Sequence, residues 1–315
     1  MKNVLIFADP GVDDAFALMY ALLHPEINIT GIVSGYGNVS QVDALKNAAY
    51  LLNLADRKDI PLISGATGPL SGTPPEYFYN IHGEKGLGGI EPLYPSPSFL
   101  YPFPTIFDII STYKDDLTIV NLSRMTTLAM CFLQPNNNLQ DVDEIIVMGG
   151  AFLVPGNATP LAEANVYGDP DAAEIVARNG QQLTFVPLNI SNRAVISKEI
   201  IKYVKQFPTP FSSIIEPILS YYSKQYKPIL PTINGAPLHD VTLLSYLLNK
   251  SRYSVVQKQI FVLTAGPSKG MTYADFRAVP EPLPFYPINK MILDFDAGWF
   301  VQDFINVLSG QQKNA

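Results

Sequence analysis

The chain has 315 residues, of which 47% are apolar and 16% charged, and its formal net charge is −7. A chain of this length buries about three quarters of its unfolded surface, which is enough for one large core, so we expect a single domain over residues 1–315. The acidic balance, the lack of any Lys/Arg run longer than two residues, and the lack of a Walker-type or GxGxxG loop argue against nucleic-acid partners and multiply phosphorylated substrates.

The first apolar run is short and stops at an acidic residue. Residues 4–8 are apolar and Asp9 follows, so the run is too short for a signal peptide or a membrane span. Cys131 is the only cysteine, which excludes an intrachain disulfide. We therefore expect a cytoplasmic protein with no membrane partner.

Strand-like and helix-like segments alternate along the first 190 residues. Short runs rich in branched residues predict strands at 4–7, 29–33, 62–64, 117–122, 144–148 and 183–187. Helices are predicted between them at 13–23, 41–54, 107–113, 126–133 and 170–178. This alternation is typical of a parallel α/β fold, in which ligands bind beyond the carboxyl ends of the strands.

Two stretches depart from the alternation. Residues 67–105 hold eight prolines and the glycine cluster HGEKGLGG, which predicts a long functional loop, here called the lid loop. Residues 198–250 read as helical without intervening strands, which predicts a helical cap packed on the sheet.

The loop after the first predicted strand carries three carboxylates, Asp9, Asp13 and Asp14, within six residues. Unit charges about 5 Å apart repel by about 3 kcal/mol per pair at an effective dielectric of roughly 20, so three ionised groups facing one point need a cation. A hard, oxygen-preferring metal ion would meet that need. The alternative, a carboxylate that caps the following helix, accounts for only one of the three.

A second polar segment, GNATPLAEANVYGDPDAA, contains Asn157, Glu163 and Asn165. In an extended backbone Glu163 and Asn165 point to the same face, and an acid flanked by amides is suited to gripping hydroxyl groups. The alternative is a surface loop rich in turns.

Two of the three histidines lie in polar segments that suit a site. His82 begins the glycine cluster of the lid loop, and His239 with Asp240 opens a predicted helix. Histidine is the side chain best placed to donate a proton near neutral pH. The alternative for His239 and Asp240 is a capping aspartate beside a surface histidine.

Tyrosines at 221, 222 and 226 follow one another at near-helical spacing. Such a stripe is more often core packing than a surface on which a base stacks.

Six segments in the same order, DPGVDDAFAL, GYGNVS, IHGEKGLGG, MGGAF, GNATPLAEANVYGDPDAA and PLHD, resemble the inosine-uridine-preferring nucleoside hydrolase family. The resemblance implies a Rossmann-like, mostly parallel sheet flanked by helices, and a bound Ca²⁺. It also implies hydrolysis of the N-glycosidic bond of ribonucleosides to ribose and free base, without an organic cofactor. A homo-oligomer, dimer or tetramer, is implied as well.

The resemblance carries residue roles by position. The metal ligands are implied to be two aspartates of the first loop, the aspartate of PLHD and one backbone carbonyl: Asp9, Asp14, Asp240 and Thr126. The ribose would contact Asp13, Asn38, Asn157, Glu163 and Asn165, and the base would lie near His82 and His239. In the implied mechanism Asp9 is the general base for a metal-activated water and His239 assists departure of the base.

Three departures from the family pattern bear on activity. Phe7 stands where members usually carry Asp, and SRMTTLA at residues 123–129 replaces GPLTNLA, so that Arg124 is expected to narrow or recharge the pocket. Ala164 stands where many members carry an aromatic residue. These changes leave open a protein that binds nucleosides or ribose with weakened turnover. A Mg²⁺ phosphohydrolase is a further alternative, which the lack of a basic cluster disfavours.

Overall fold

The computed structural model describes residues 1–92, 100–135 and 137–311. Its strands are β1 Lys2–Ala8, β2 Ile27–Ser34, β3 Leu62–Ser64, β4 Leu117–Asn121, β5 Glu144–Met148, β6 Leu183–Val186, β7 Val195–Ile196, β8 Ala236–Pro237, β9 Tyr253–Lys258, β10 Ile260–Val262, β11 Thr272–Ala274 and β12 Asn289–Phe295. Its α-helices are α1 Val12–Leu23, α2 Gln41–Leu54, α3 Tyr79–His82, α4 Thr105–Tyr113, α5 Thr126–Phe132, α6 Ala164–Gly168, α7 Pro170–Asn179, α8 Leu188–Ser191, α9 Lys198–Val204, α10 Ile215–Tyr226, α11 Val241–Leu248 and α12 Ala297–Leu308.

An eight-stranded sheet with the order β3-β2-β1-β4-β5-β6-β12-β9 forms the centre of the molecule. Its strands run parallel except at the edge, where β9 pairs antiparallel with β12. The predicted mostly parallel α/β fold is confirmed, and the first six strands have the order of a doubly wound sheet. The strand order reverses between β1 and β4, so a crevice opens beyond their carboxyl ends.

Helices cover both faces of the sheet, which is why its central strands are apolar throughout. Every residue of β4 and β5 is buried, as expected for parallel strands with helices on each side. Side chains of β1 alternate between two separate cores: Ile6 and Ala8 belong to the core that includes α1, α11 and α12, whereas Leu5 and Phe7 belong to the one that includes α4, α5 and α7.

The two stretches without alternation lie on either side of the site. In the lid loop, residues 93–99 fall outside the described residues, and the remainder includes the short helix α3. In the 198–250 stretch, α10 packs on α3, α9 and α1, while α11 packs on α1 and β5. The division of the chain into lid and cap stays a prediction. Among the described residues no helix is both long and apolar enough to cross a membrane.

Candidate active site

A cavity of about 260 Å³ opens beyond the carboxyl ends of the central strands. Ligand pockets for drug-sized molecules measure about 300–1,000 Å³, so this cavity suits a small molecule rather than a polymer. Eight of the candidate residues line it: Asp13, Asn38, His82, Asn157, Glu163, Asn165, His239 and Asp240. Segments that are up to 227 residues apart in the chain, from Asp13 to Asp240, therefore meet at one pocket.

Three carboxylates lie close together, and two of them, those of Asp13 and Asp240, belong to residues that line the pocket. The ligand oxygens of Asp13, Asp14 and Asp240 lie within 4.8 Å of one another, and all three side chains are buried. Asp14 also stabilises the start of α1, because its Oδ2 accepts a hydrogen bond from the backbone N–H of Gly11, the N-cap residue. The helix-capping role that the sequence left open for one of the three carboxylates thus belongs to Asp14.

Asp9 lies directly behind this cluster and does not line the pocket. Its Oδ2 accepts from the backbone N–H of Asn38 at 2.7 Å, and its own N–H donates to Asp14 Oδ1 at 3.1 Å. Within the described residues, Asp9 Oδ1 and Asp13 Oδ1 are buried and have no hydrogen-bond partner.

Burial and mutual repulsion both raise the pKa values of these carboxyls. Burial, followed by the charge of Asp14, raises the pKa of Asp13 to about 8, and burial with the neighbouring aspartates raises the pKa of Asp240 well above its usual range. A metal ion would supply the positive charge that the cluster lacks and would partner the free Oδ1 of Asp9. The residues present therefore fit a metal ion.

Thr126 is not among the residues that line the pocket, and its role as a carbonyl ligand stays a prediction. Its hydroxyl donates to Asp169 Oδ2 at 2.7 Å and pairs with the Tyr36 hydroxyl at 3.1 Å. Thr126 is also the first residue of α5, where a backbone carbonyl points along the helix axis. The residue of this region that lines the pocket is Leu122, whose carbonyl accepts from Asn165 Nδ2 at 2.7 Å.

Glu163 and Asn165 line the pocket, but the predicted extended backbone holds only for Glu163 (φ −79°, ψ 149°) and is wrong for Asn165. Glu163 is the N-cap of α6, and its carboxylate accepts from the backbone N–H groups of Asn165, Val166 and Gly150. Asn165 lies in the helix. Burial raises the pKa of Glu163 to about 7 in spite of these three bonds.

Both pocket histidines are buried and neutral at pH 7. Burial, together with the positive charges of His239 and Arg124, lowers the pKa of His82 to about 3, and its Nδ1 accepts from the N–H of Val12 in the first turn of α1. Burial lowers the pKa of His239 to about 4. His239 Nδ1 lies 2.9 Å from Ser191 Oγ, and its Nε2 lies 3.0 Å from the Tyr226 hydroxyl.

Sequence reasoning missed several wall residues of the pocket. Tyr222 and Tyr226 of α10 line it, so this part of the tyrosine stripe faces the site as well as the core. The aromatic run of the lid loop was the available signal for Phe78, Asn80 and Ile81, while nothing in the sequence singled out Leu122, Met148 or Ile229.

The three departures from the family pattern have different surroundings. Phe7 packs in the apolar core around α4 and α5, away from the pocket. Arg124 is not among the lining residues, and its guanidinium donates to the carbonyls of Gly37 and Glu76 instead. Ala164 lines the pocket, and its N–H donates to Asn157 Oδ1 at 2.9 Å.

Comparison with known proteins gives one consistent group of relatives. The profile of the family described as "Inosine-uridine preferring nucleoside hydrolase" matches residues 4–302. The pyrimidine-specific ribonucleoside hydrolase RihA of Photobacterium profundum is 31% identical, with 99% of each chain covered. The structure of a plant nucleoside hydrolase, PpNRh1, superposes with a TM-score of 0.92 at 28% identity, covering 98% of this chain and 99% of that one. A purine-preferring ribonucleoside hydrolase from Gardnerella vaginalis superposes with a TM-score of 0.89 at 25% identity, covering 98% of each.

Proposed function

This chain belongs to the inosine-uridine preferring nucleoside hydrolase family, and from that premise we propose how its pocket hydrolyses ribonucleosides. It is a ribonucleoside hydrolase, which cleaves the N-glycosidic bond to give ribose and a free base. The observation that carries the proposal is the buried aspartate cluster beside a pocket whose walls carry carboxylate and amide groups suited to hydroxyls.

The metal is proposed to be Ca²⁺. The clustered side chains of Asp13, Asp14 and Asp240 all offer carboxylate oxygens, which hard cations prefer, and Ca²⁺ accepts the six to eight ligands that aspartates, a carbonyl, water and sugar hydroxyls would provide. We propose Asp9, Asp14 and Asp240 as side-chain ligands. Thr126 is proposed to contribute its backbone carbonyl and, like the proposed ligands Asp9 and Asp14, it is not among the residues that line the pocket. Bound there, the ion would lower the pKa of a water and polarise the sugar hydroxyls.

The sugar is proposed to be held by groups that accept and donate hydrogen bonds. Asp13 is the first-loop aspartate that lines the pocket and keeps a free oxygen, which suits a ribose hydroxyl. Asn38, Asn157, Glu163 and Asn165 supply the remaining amide and carboxylate contacts. These negative and dipolar groups also favour the positive charge that develops on the sugar ring as the glycosidic bond breaks.

Two proton movements complete the proposed reaction. Asp9 takes a proton from the attacking water, since its Oδ1 has no other partner among the described residues. The departing base is proposed to take a proton through the hydrogen-bonded pair of His239 and the Tyr226 hydroxyl, and the proton that Asp9 has taken from water returns to this pair through solvent. His82 is proposed to contact the base from the opposite wall.

A reducing-sugar assay across inosine, uridine, cytidine and adenosine, with and without chelator, tests the proposal. We expect ribose release that chelator abolishes and added Ca²⁺ restores, and no release by Asp9→Ala with an unchanged circular dichroism spectrum. Tight nucleoside binding in calorimetry with no ribose release would instead support a binding protein. Mg²⁺ restoring activity as well as Ca²⁺ would overturn the choice of metal.

The same preparation tests the proposed homo-oligomer. Light scattering coupled to gel filtration should give a mass of two or four chains, against 34.6 kDa for one chain. The relatives include both pyrimidine-specific and purine-preferring enzymes, so the preference of this enzyme for a base has to be measured. The nucleoside panel measures it directly.

A further inference from the structure

Arg124 is a buried arginine whose guanidinium bonds two different parts of the chain. Its side chain is only 3% exposed. Nη1 donates to the carbonyl of Gly37 at 2.8 Å, and Nη2 donates to the carbonyl of Glu76 at 2.7 Å. The guanidinium also lies 5.1 Å from the ring centre of Tyr36 and 5.5 Å from that of Phe78. A single residue in the loop after β4, Arg124, thus joins the loop after β2 to the lid loop.

The Gly37–Asn38 peptide connects this arginine to the aspartate cluster. The carbonyl of the peptide accepts from Arg124, and its N–H, which belongs to Asn38, donates to Asp9 Oδ2 at 2.7 Å. The Asn38 carbonyl in turn accepts from the N–H of Phe78 at 3.1 Å. The lid loop is therefore bonded directly to the carbonyl of Asn38, and through Arg124 to the Gly37–Asn38 peptide, which is anchored on Asp9.

The space around the arginine is shaped to its side chain. A Cβ added at Gly168, the last residue of α6, would lie 1.8 Å from Arg124 Nε. Gly168 has no positive φ, so close approach and not backbone conformation accounts for glycine there. Four residues that follow Glu76 in the lid loop line the pocket: Phe78, Asn80, Ile81 and His82.

We propose that Arg124 is a positioning residue that holds residues 76–82 of the lid loop closed against the Gly37–Asn38 peptide, and so forms the wall of the pocket before substrate arrives. This inference rests on the proposed function for its kinetic consequence only. A planar guanidinium can donate to two carbonyls at once, whereas a lysine ammonium in the same place is a single point donor. Preforming the wall lowers the ordering cost of binding, so the effect belongs in KM more than in kcat.

The test compares Arg124→Met and Arg124→Lys with Arg277→Met, which removes an exposed ion pair to Asp275. Hydrogen exchange of the backbone amides of residues 78–83 is measured first, without substrate. We expect Arg124→Met to accelerate it about tenfold or more while the amides of β5 are unchanged, Arg124→Lys to be intermediate, and Arg277→Met to match the parent. Gly168→Ala, which crowds the arginine from the other side, should accelerate the same amides.

Steady-state kinetics on a ribonucleoside then separates positioning from general stability. We expect Arg124→Met to raise KM about tenfold with kcat within about threefold, and Arg124→Lys to recover part of the loss. Unchanged exchange at residues 78–83, or an unchanged KM, would overturn the inference. If Arg124→Met does not fold, Arg124→Lys and Gly168→Ala decide it. If the parent protein releases no ribose, the proposed function fails and the exchange result still decides the role of Arg124.

Discussion

Asp13 and Asp14 are neighbours in the chain, but their carboxylates have different partners. Successive residues of a helix point about 100° apart, so Asp14 turns back to accept from Gly11 and Asp9 N–H groups and from Asn38 Nδ2, whereas Asp13 faces the pocket. Asp14 accepts three hydrogen bonds from this chain, whereas Asp13 Oδ1 has no hydrogen-bond partner among the described residues. This difference supports the proposed division of the acidic run into a metal ligand, Asp14, and a substrate contact, Asp13.

Paired substitutions separate these two roles. Asp14→Asn places an amide N–H₂ group among the three N–H donors that the carboxylate of Asp14 accepts from. A hydrogen bond to a charged group contributes about 1.5–3 kcal/mol, so we expect the Ca²⁺ affinity measured by calorimetry to fall by about 100-fold or more. Asp13→Asn should leave Ca²⁺ affinity within about threefold and raise KM for nucleosides by about tenfold or more. Loss of Ca²⁺ binding in Asp13→Asn as severe as in Asp14→Asn would assign Asp13 to the metal.

His239 is buried and neutral, which constrains the pH dependence of the reaction. Because burial lowers its pKa to about 4, the imidazole is mostly neutral above pH 5, and its titration should not appear as a limb near pH 6.5 in kcat/KM. We expect His239→Ala to lower kcat for inosine by about 10²–10⁴-fold, the usual contribution of acid catalysis. A substrate whose leaving group departs unprotonated, p-nitrophenyl riboside, should be hydrolysed nearly as fast as by the parent enzyme. Equal losses on both substrates would mean that His239 does not serve the leaving group.

At the level of elements, the loop after β2 is packed against the aspartate cluster with no room for a side chain. A Cβ added at Gly37 would lie 1.6 Å from Asp9 Oδ2. Gly37→Ala must therefore displace either Asp9 or the Asn38 N–H that holds it. The same peptide carries the Arg124 contact, so the loop has no free direction in which to relax.

We expect Gly37→Ala to bind Ca²⁺ at least about tenfold more weakly and to lose about 1–3 kcal/mol of stability, the usual cost of overpacking. Calorimetry with Ca²⁺ and denaturant unfolding measure the two effects. Gly89→Ala is the matched control, because Gly89 has nothing within 4 Å of an added Cβ and no positive φ. Parent-like Ca²⁺ affinity in Gly37→Ala would show that Asp9 is not held in place through this loop.

The elements and the gathering of the loops were predictable from sequence because each has a local cause. Buried runs of branched residues predict β4 and β5, and parallel pairing brings the loops at their carboxyl ends together. The contacts made by backbone carbonyls were not predictable in the same way. Every residue carries a backbone carbonyl, and only the geometry at the end of β4 places Leu122 among the residues that line the pocket.

Glu163 illustrates a second limit on what sequence predicts. A spacing of two residues places side chains on one face only in an extended backbone, and the helix that Glu163 caps is too short to announce itself by periodicity. Both side chains still reach the pocket because the cap carboxylate and the first helical residues lie at the same end of α6. The long-range bonds of Arg124 likewise had no sequence signal, since they end on backbone carbonyls.

For the whole molecule, the site places acids and histidines with opposite pKa shifts in one buried volume. Asp13 and Glu163 have raised pKa values, about 8 and about 7, and so bind protons in the folded state that they release in the unfolded state. His82 and His239, at about 3 and about 4, do the reverse. The acids make the free energy of unfolding fall as pH rises towards 8. The histidines make the free energy of unfolding rise with pH, but only up to about pH 6.5, the pKa of histidine in the unfolded state. Above pH 7 the acids act alone.

The metal-free protein should therefore become less stable between pH 7 and pH 8. The free energy of unfolding should fall by roughly 1 kcal/mol per pH unit for each proton that is released on unfolding. The sign follows because the folded state holds more protons than the unfolded state there, so each rise in pH favours unfolding. Ca²⁺ partners the same carboxylates, and we expect saturating Ca²⁺ to raise the melting temperature and flatten the pH dependence. Calorimetric scans at pH 7.0, 7.5 and 8.0, with chelator or Ca²⁺, measure this, and Asp13→Asn, which removes one raised carboxyl, should flatten the metal-free curve. If the stability of the metal-free protein instead rises between pH 7 and pH 8, groups of the protein itself already compensate the charges of the carboxylates. The electrostatic argument for a bound cation would then fail.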